Sequence, residues 1–417
     1  MLAVYRLLIV LIAPLALVWL RWKIAGPAEL RARWRERLGS VPRLDSQQPV
    51  LWLHAASVGE VNAVAALVTA MLERYPDHRL VISTMTVTGR AEAIRRFGDR
   101  VDTVFAPLDT PWAVSRWLKR IRPRLAMVAE TEIWPELYRG CSKRAIPLVL
   151  VNARLAPSAM KRYRRFHSLF AGALSSVDLA ICQSEDDARR FGELGLDEDR
   201  IAVAGNLKFD RVIPDDLGET VRKLRSEWGE RPTWVAGSTR PGEEAIVLDA
   251  HARLRERRPE ALLILAPRHP ERSDEIRTLI EKAGLKHQPI GQLIELETAV
   301  VLVDRIGILL SCYAAAPAAF VGGSLVDIGG HNLLEPAAFG KAVIAGAHLH
   351  QQADSAEALR DNGALIEVQD ADGLARAVLS IWEDPQRALE YGRAALEVVE
   401  NGRGSVRRTL KLLDGIL

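Results

Sequence analysis

Cysteine is scarce in this 417-residue chain: Cys141, Cys182 and Cys312 are odd in number and far apart. That spacing builds neither a disulfide framework nor a zinc motif, and it points to a reducing compartment. A Walker A motif and a Gly-x-Gly-x-x-Gly fingerprint are also missing, which removes the P-loop and standard dinucleotide readings. No internal repeat or low-complexity tract is visible, and 48% hydrophobic with 26% charged residues excludes extended disorder. The net charge is only +3. No aromatic-basic interleave or other nucleic-acid module accompanies it, so nucleic acid is not an expected partner.

Long apolar runs are equally rare, with one exception at the N-terminus. Leu2 to Leu20 is almost continuously apolar, interrupted by Arg6 and Pro14, and leads straight into Arg21, Trp22 and Lys23. Nineteen helical residues reach about 28 Å, close to a bilayer core. Positive charge follows where a signal peptide would carry small residues, so residues 1–22 read as a membrane anchor with the body on the cytoplasmic side. From Arg21 to Arg43 seven Lys or Arg face two Glu, a balance suited to an anionic phospholipid surface. Within it, Glu29 to Leu38 spaces Leu30, Trp34 and Leu38 at i, i+4, i+8 among Arg31, Arg33, Arg35 and Arg37. The spacing predicts an interfacial helix, or else a helix packed on the first domain with a solvated basic face.

The length calls for two domains of roughly 200 residues. Short apolar runs alternate with helical patterns in both halves. Val50–His54, Leu80–Thr84, Thr103–Ala106, Leu125–Ala129, Leu148–Val151, Leu179–Cys182 and Ile201–Ala204 read as strands in the first half. Thr233–Ala236, Leu262–Ala266, Val301–Val303, Ala318–Val321, Ala342–Ile344 and Ala364–Val368 do so in the second. Several are apolar throughout, as parallel strands covered on both faces are. Lys208 to Leu217, polar and containing Pro214, reads as the boundary. The fold class expected is α/β, with two doubly wound Rossmann-like domains, 23–210 and 211–417, facing across a cleft. Their ligands belong beyond the C-terminal strand ends.

Chemistry-bearing residues cluster after those strand ends. In His54-Ala-Ala-Ser57-Val-Gly59-Glu60, Gly59 can serve a tight turn and Ser57 or Glu60 can meet the free amides opening a helix. Glu60 is then either a first-turn carboxylate favoured by the helix dipole or a base for an attacking hydroxyl. In Glu130-Thr-Glu132-Ile-Trp134-Pro135, alternate positions of an extended segment place both acids on one side, to hold a cation, touch an acceptor or shift each other's pKa. Otherwise this is a solvated loop. Arg154 follows another strand end, and Lys161 to His167 is strongly cationic, with Tyr163, Phe166 and Phe170 spaced for one helical stripe.

The second half carries Gly237-Ser238-Thr239-Arg240 with Gly242-Glu243-Glu244, then Pro267-Arg268-His269-Pro270, then Gly322-Gly323-Ser324 with Gly329-Gly330-His331-Asn332-Leu-Leu-Glu335-Pro336. Small residues expose amides, and Arg240 and Arg268 offer cationic forks for phosphate. The glycine-rich turn before a short helical stretch suits phosphate as well, and Glu335 can accept from a ribose. Three such loops at successive strand ends point to a nucleotide site.

In this order and spacing, the motifs from the apolar N-terminus to Pro336, with Asn152 to Leu155 and Gly205-Asn206-Leu-Lys208 between them, resemble the Kdo (3-deoxy-D-manno-oct-2-ulosonic acid) transferases of Gram-negative bacteria. The resemblance covers essentially the whole chain. It implies a B-type glycosyltransferase fold and inverting transfer of Kdo from CMP-Kdo to the 6′-hydroxyl of a tetraacylated, bisphosphorylated lipid A precursor. It also implies the cytoplasmic face of the inner membrane, with no metal and no cofactor. Glu60 matches the base and Glu130 an acidic residue near the acceptor. Arg240, Arg268, His269, Gly322, Gly323, Ser324, Asn332 and Glu335 fall in the donor region. Ser57, Gly59, Glu132, Arg154, Asn206 and Lys208 fall in acceptor-binding or domain-interface segments. Many relatives carry His where this chain has Arg240, which alters reach and permanent charge. Another cell-envelope glycosyltransferase using a UDP-sugar, or a sugar-nucleotide-binding protein without catalysis, are the competing expectations.

Overall fold

The computed structural model describes residues 1–23, 28–44, 48–210 and 217–417. The chain divides into two compact units, Met1–Val212 with Gly402–Leu417, and Ile213–Asn401. Residues 211–216 of the expected boundary lie outside the described residues, as do the side chain of Arg31 and those of residues 14–23.

Unit 1 is built on a parallel sheet of β1 (Val50–His54), β2 (Arg79–Thr84), β3 (Asp102–Phe105), β4 (Pro123–Ala129), β5 (Leu148–Ala153), β6 (Leu179–Cys182) and β7 (Ile201–Val203). Their order is β3-β2-β1-β4-β5-β6-β7. β1, β4 and β5 are buried almost throughout because helices cover both faces, which explains why they are apolar except at His54, Arg124 and Asn152. On one face Trp52 and Trp117 pack with ring centroids 4.6 Å apart, and the Trp52 indole donates to Ser83 Oγ at 2.8 Å. Emptying such a site, as in Leu53→Ala in the fully buried strand, costs about 2–5 kcal/mol. β1 is flanked by β2 and β4, so the direction of winding reverses there and the loops after β1 and β4 open beside each other.

Unit 2 repeats the plan with β8 (Thr233–Thr239), β9 (Leu262–Pro267), β10 (His287–Pro289), β11 (Val300–Leu302), β12 (Ala318–Val321), β13 (Ala342–Gly346) and β14 (Leu365–Val368), ordered β10-β11-β9-β8-β12-β13-β14. The reversal lies between β8 and β12, where Gly237 aligns with Val321. The edge strand β10 escaped the sequence reading because His287-Gln288-Pro289 is short, polar and half-buried.

The chain ends in two helices, Pro385–Gly402 and Ser405–Asp414, broken where Gly404 takes φ +87°. The last one packs on unit 1. Asp210 accepts from the Gly404 amide at 2.6 Å and from the Val406 amide, and Arg74 and Tyr75 reach Asp414.

Two expectations for the basic segments need correction. Glu29 to Leu38 is not one interfacial helix: a short helix, Ala28–Ala32, gives way to a 3-10 helix, Arg33–Leu38. Arg37 is 2% exposed, donates to the Met85 carbonyl at 2.6 Å and lies over the Phe105 ring. Beside it Glu36 holds the buried Arg90 at 2.7 Å and the Phe105 amide at 2.8 Å. The packed alternative therefore holds for these two residues, leaving Arg33 and Arg35 exposed. The Lys161–His167 stretch is likewise split at Phe166, which is exposed, while Tyr163 meets Phe170 edge to face at 4.6 Å. Among the described residues no helix is long and apolar enough to cross a membrane.

Candidate active site

At the reversal point of unit 1, Ser57 caps the helix Val58–Ala63, its hydroxyl accepting from the Glu60 amide at 3.3 Å. The Glu60 carboxylate turns back over the same cap. Its Oε2 accepts from the Ala56 amide at 2.7 Å and its Oε1 from the Ser57 hydroxyl at 3.1 Å. These bonds favour the ionised form, yet burial and the negative charges of Glu132 and Glu130 outweigh them and push the carboxyl up to about 8. The first-turn role and the proton-handling role thus reside in one side chain. Gly59, expected in a tight turn, lies inside the helix at ordinary φ with room for a Cβ. The close approach is at Gly89 instead, where a Cβ would come within 3.1 Å of the Ser57 backbone. A lone glycine in Thr-Gly-Arg gave no signal for this.

The loop after β4 brings Glu130 and Glu132 to the same place. Glu130 takes φ +56°, a left-handed conformation unusual for a residue with a side chain, while its amide continues the ladder to the Val151 carbonyl. Glu132 accepts from the Trp134 indole at 2.7 Å, and its carboxyl is raised by burial and by Glu130. Thr131 donates to the Arg154 carbonyl at 2.6 Å, tying the loops after β4 and β5 together. Three carboxylates therefore share one end of the sheet. Among the described residues no group of three or more His, Cys, Asp or Glu is placed to hold a metal ion.

Asn152, also at positive φ, accepts from the Leu207 amide at 3.0 Å. The buried Asn206 accepts from the Lys208 amide at 3.0 Å. Gly205 needs its φ of +89° and its missing Cβ, since Ser405 Oγ lies 2.6 Å from where one would stand. Asn206 and Lys208 thus belong to the segment on which the returning C-terminal helix sits, within unit 1.

In unit 2 the strand-end loops collect cations. Arg240 donates from Nε to His331 Nε2 at 3.1 Å and its Nη1 stands 2.8 Å from His269 Nε2. Burial, and then repulsion by Arg268 and Arg272 against the attraction of Glu243, lower its hold on the proton. His331 is pushed down to about 4 by burial and by Arg240, Arg268 and His269, so it is neutral and accepts from the guanidinium. Cations gathered at strand ends are what an anion would complete. Arg272 is held by the buried Glu244 at 2.8 Å, and Glu271 stands 3.1 Å from His269.

The glycine-rich turn corrects the sequence reading. The Gly322 amide donates to the Gly237 carbonyl, the Gly323 amide to Glu243 Oε2 at 2.6 Å, and the Ser324 amide to Glu243 Oε1 at 2.9 Å. The Ser324 hydroxyl donates to the Val321 carbonyl and accepts from the Gly346 amide. These groups are engaged inside the protein, so Gly322, Gly323 and Ser324 shape the loop and do not present those amides to a phosphate. The organiser is Glu243, fully buried, which also takes the Leu325 and Arg240 amides. Sequence reasoning quoted it beside Gly242 and gave it no role. Asn332 accepts from the Leu334 amide at 3.1 Å and so starts the four-residue helix Leu334–Ala337, whose first turn holds Glu335 half-buried.

Comparison with known proteins decides the family. The chain is 34% identical over 418 residues to a 3-deoxy-D-manno-octulosonic acid transferase of Haemophilus influenzae, covering 99% of this chain and 98% of the relative. The chain belongs to the 3-deoxy-D-manno-octulosonic acid (Kdo) transferase family. A second Kdo transferase, from Bordetella pertussis, is 32% identical with 99% and 98% covered. Residues 32–211 match the family described as 3-Deoxy-D-manno-octulosonic-acid transferase (kdotransferase), and residues 245–398 match Glycosyl transferases group 1. Solved structures similar in fold include a glycosyltransferase of Rickettsia africae (TM-score 0.56, 15% identity, 89% of this chain and 99% of the other). Another is a UDP-GlcNAc 2-epimerase of Neisseria meningitidis (TM-score 0.59, 13% identity, 88% and 100%). For this Kdo transferase family member, two parallel-sheet α/β units of the B-type glycosyltransferase kind are thereby the common architecture.

Proposed function

We propose that this family member transfers Kdo with inversion from CMP-Kdo to the 6′-hydroxyl of the tetraacyldisaccharide bisphosphate precursor of lipid A. Unit 1 binds the acceptor and unit 2 the donor. The observation that carries the reading is Glu60, a carboxyl with a raised affinity for protons that feels the charges of Glu132 and Glu130 at a strand-end reversal. A base tuned near neutrality takes a proton from an attacking alcohol far better than an ordinary carboxylate. Glu60 removes the hydroxyl proton as the oxygen attacks the anomeric carbon of Kdo, and CMP departs from the opposite face. Arg240 and Arg268 stabilise the charge that gathers on the leaving phosphate. Glu130 and Glu132 position the acceptor and hold Glu60 at its unusual value, and Arg154 lies on the tied loop beside them. Arg33, Arg35 and the N-terminal helix turn the protein to an anionic membrane surface on the cytoplasmic face of the inner membrane, where the lipid acceptor presents its sugars.

The test is to incubate the purified protein with CMP-Kdo and the tetraacyl precursor and weigh the products. A mass increase of one or more Kdo residues is expected, and the number added is read directly. An unchanged acceptor, or transfer from UDP-sugars in preference to CMP-Kdo, refutes the reading.

A further inference from the structure

The N-terminal helix, Leu2–Lys23, is bound to unit 1 from its first turns. The Tyr5 hydroxyl donates to Asp109 Oδ2 at 2.6 Å, and Arg6 grips Glu136 with Nε at 2.6 Å and Nη2 at 3.2 Å. Both partners are buried. Asp109 also accepts from the Glu136 and Leu137 amides, and Arg139 stands 3.8 Å from Glu136. The charge interrupting the apolar run is therefore one half of a fork-to-carboxylate pair. Leu2, Tyr5, Arg6, Ile9 and Ala13, spaced as one helical face, are all shielded, and Ala13 is only 5% exposed. The opposite face, Val4, Leu7, Leu8 and Leu11, is 51–63% exposed.

After Lys23 the chain returns to the same unit: Glu36 and Arg37 of the segment Arg33–Leu38 are buried against Arg90, Phe105 and Met85. A spanning helix needs its ends on opposite sides of the membrane. Here Tyr5 at one end and Glu36 beyond the other are held by one body. With residues 2–13 lying along that body, Pro14 to Leu20 would reach only about 10 Å, a third of the roughly 30 Å hydrocarbon core.

We propose that this helix is a latched, single-leaflet element. Tyr5 with Asp109 and Arg6 with Glu136 fasten its inner face, and Val4, Leu7, Leu8 and Leu11 enter the acyl region of an anionic bilayer from one side. The occupant is argued from charge and chemistry: an outer apolar face on a unit that also exposes Arg33 and Arg35 matches lipid tails under anionic headgroups. The latch also sets the depth of the active site. Glu136 and Leu137 open the helix Pro135–Ser142 directly after the Glu130–Trp134 loop, so the lipid-facing side is fixed in register with the acidic cluster. The inference rests on the membrane-surface reading above but not on the transfer chemistry.

The experiment places one cysteine in a short polar extension ahead of Met1 and, in a second protein, Lys143→Cys on exposed unit 1 surface. The three native cysteines are buried and give a quiet background. An impermeant maleimide is applied to right-side-out and inverted inner-membrane vesicles. Both cysteines react from the same face if the helix stays in one leaflet. Reaction of the N-terminal cysteine from the opposite face, or from both, overturns the inference while leaving membrane attachment standing. Failure of the full chain to sediment with vesicles overturns the attachment itself. The latch is checked on the purified full-length protein with Arg6→Met, Glu136→Gln and the double variant. Coupled partners give a double shift in Tm well short of the sum of the singles, and additive shifts remove the latch.

Discussion

Burial and, next to it, the negative charge of Glu132 lift the Glu60 carboxyl to about 8. Glu132 is itself raised by burial and by Glu130 and secured by the Trp134 indole. Glu60 and Glu132 are thus both raised, and Glu130 is a negative neighbour of each.

A pH dependence follows. If ionised Glu60 is the base, kcat/KM climbs with pH and levels off above about 8, since that parameter reports the free enzyme. Glu132→Gln deletes a negative neighbour, so Glu60 ionises more easily and the inflection moves to lower pH. The check is the pH–rate profile of both proteins. An inflection that stays in place, or moves upward, removes Glu132 from this role.

Glu60→Gln separates chemistry from folding. Transfer falls by at least about 100-fold, the lower end for losing a general base, with CMP binding unchanged. Stability moves the other way. The folded value lies above the ordinary 4.5, so the folded chain keeps this proton longer than the unfolded chain does. The contribution is fully present below about pH 4.5 and is lost as pH rises through 8, at up to about 1.4 kcal/mol per pH unit between. The variant's Tm advantage over the native protein therefore grows from pH 5 to pH 8 and then flattens. Equal Tm differences at both pH values contradict a raised Glu60.

The two sheets were legible because β9 and β12 are apolar throughout and β1, β4 and β5 nearly so, interrupted only by His54, Arg124 and Asn152, as strands of a parallel sheet covered on both faces are. Glu60, Glu130 and Glu132 were legible from their places after strands. That Glu60 joins the Glu130–Glu132 pair was not, because it depends on β1 and β4 lying side by side. Arg37 was misread and Glu243 left without a role for a common reason: sequence gives charge but not burial, and each sits where several backbone or aromatic partners replace water.

Glu243→Ala is expected to be the most damaging single change in unit 2. It leaves the amides of Arg240, Gly323, Ser324 and Leu325 without their acceptor, and a buried unsatisfied group costs about 1–3 kcal/mol. Unfolding by denaturant, followed by fluorescence, should show a loss of several kcal/mol. Glu243→Gln, which keeps an acceptor oxygen, should recover part of it. A near-native midpoint for the alanine variant means that the loops reorganise and that Glu243 is not their organiser.

His331 and Arg240 are expected to act together as a proton-coupled anion receptor. The guanidinium donates to a neutral imidazole held down at about 4 by burial and by the surrounding cations. A phosphate arriving beside Arg240 and Arg268 offsets that repulsion, so the His331 value moves up towards its ordinary 6.5 and binding takes up a fraction of a proton near pH 5. Calorimetry of CMP binding in two buffers of different ionisation enthalpy measures that uptake. It should be present in the native protein and largely absent in His331→Gln. Arg240→Ala should weaken CMP roughly 10- to 100-fold, the range for losing a charge-assisted hydrogen bond, and Arg240→Lys should restore only part, because a point charge cannot bridge His331 and His269. Equal uptake in the native and His331→Gln proteins would place the coupled proton elsewhere, and undiminished binding by Arg240→Ala would move the phosphate away from this cluster.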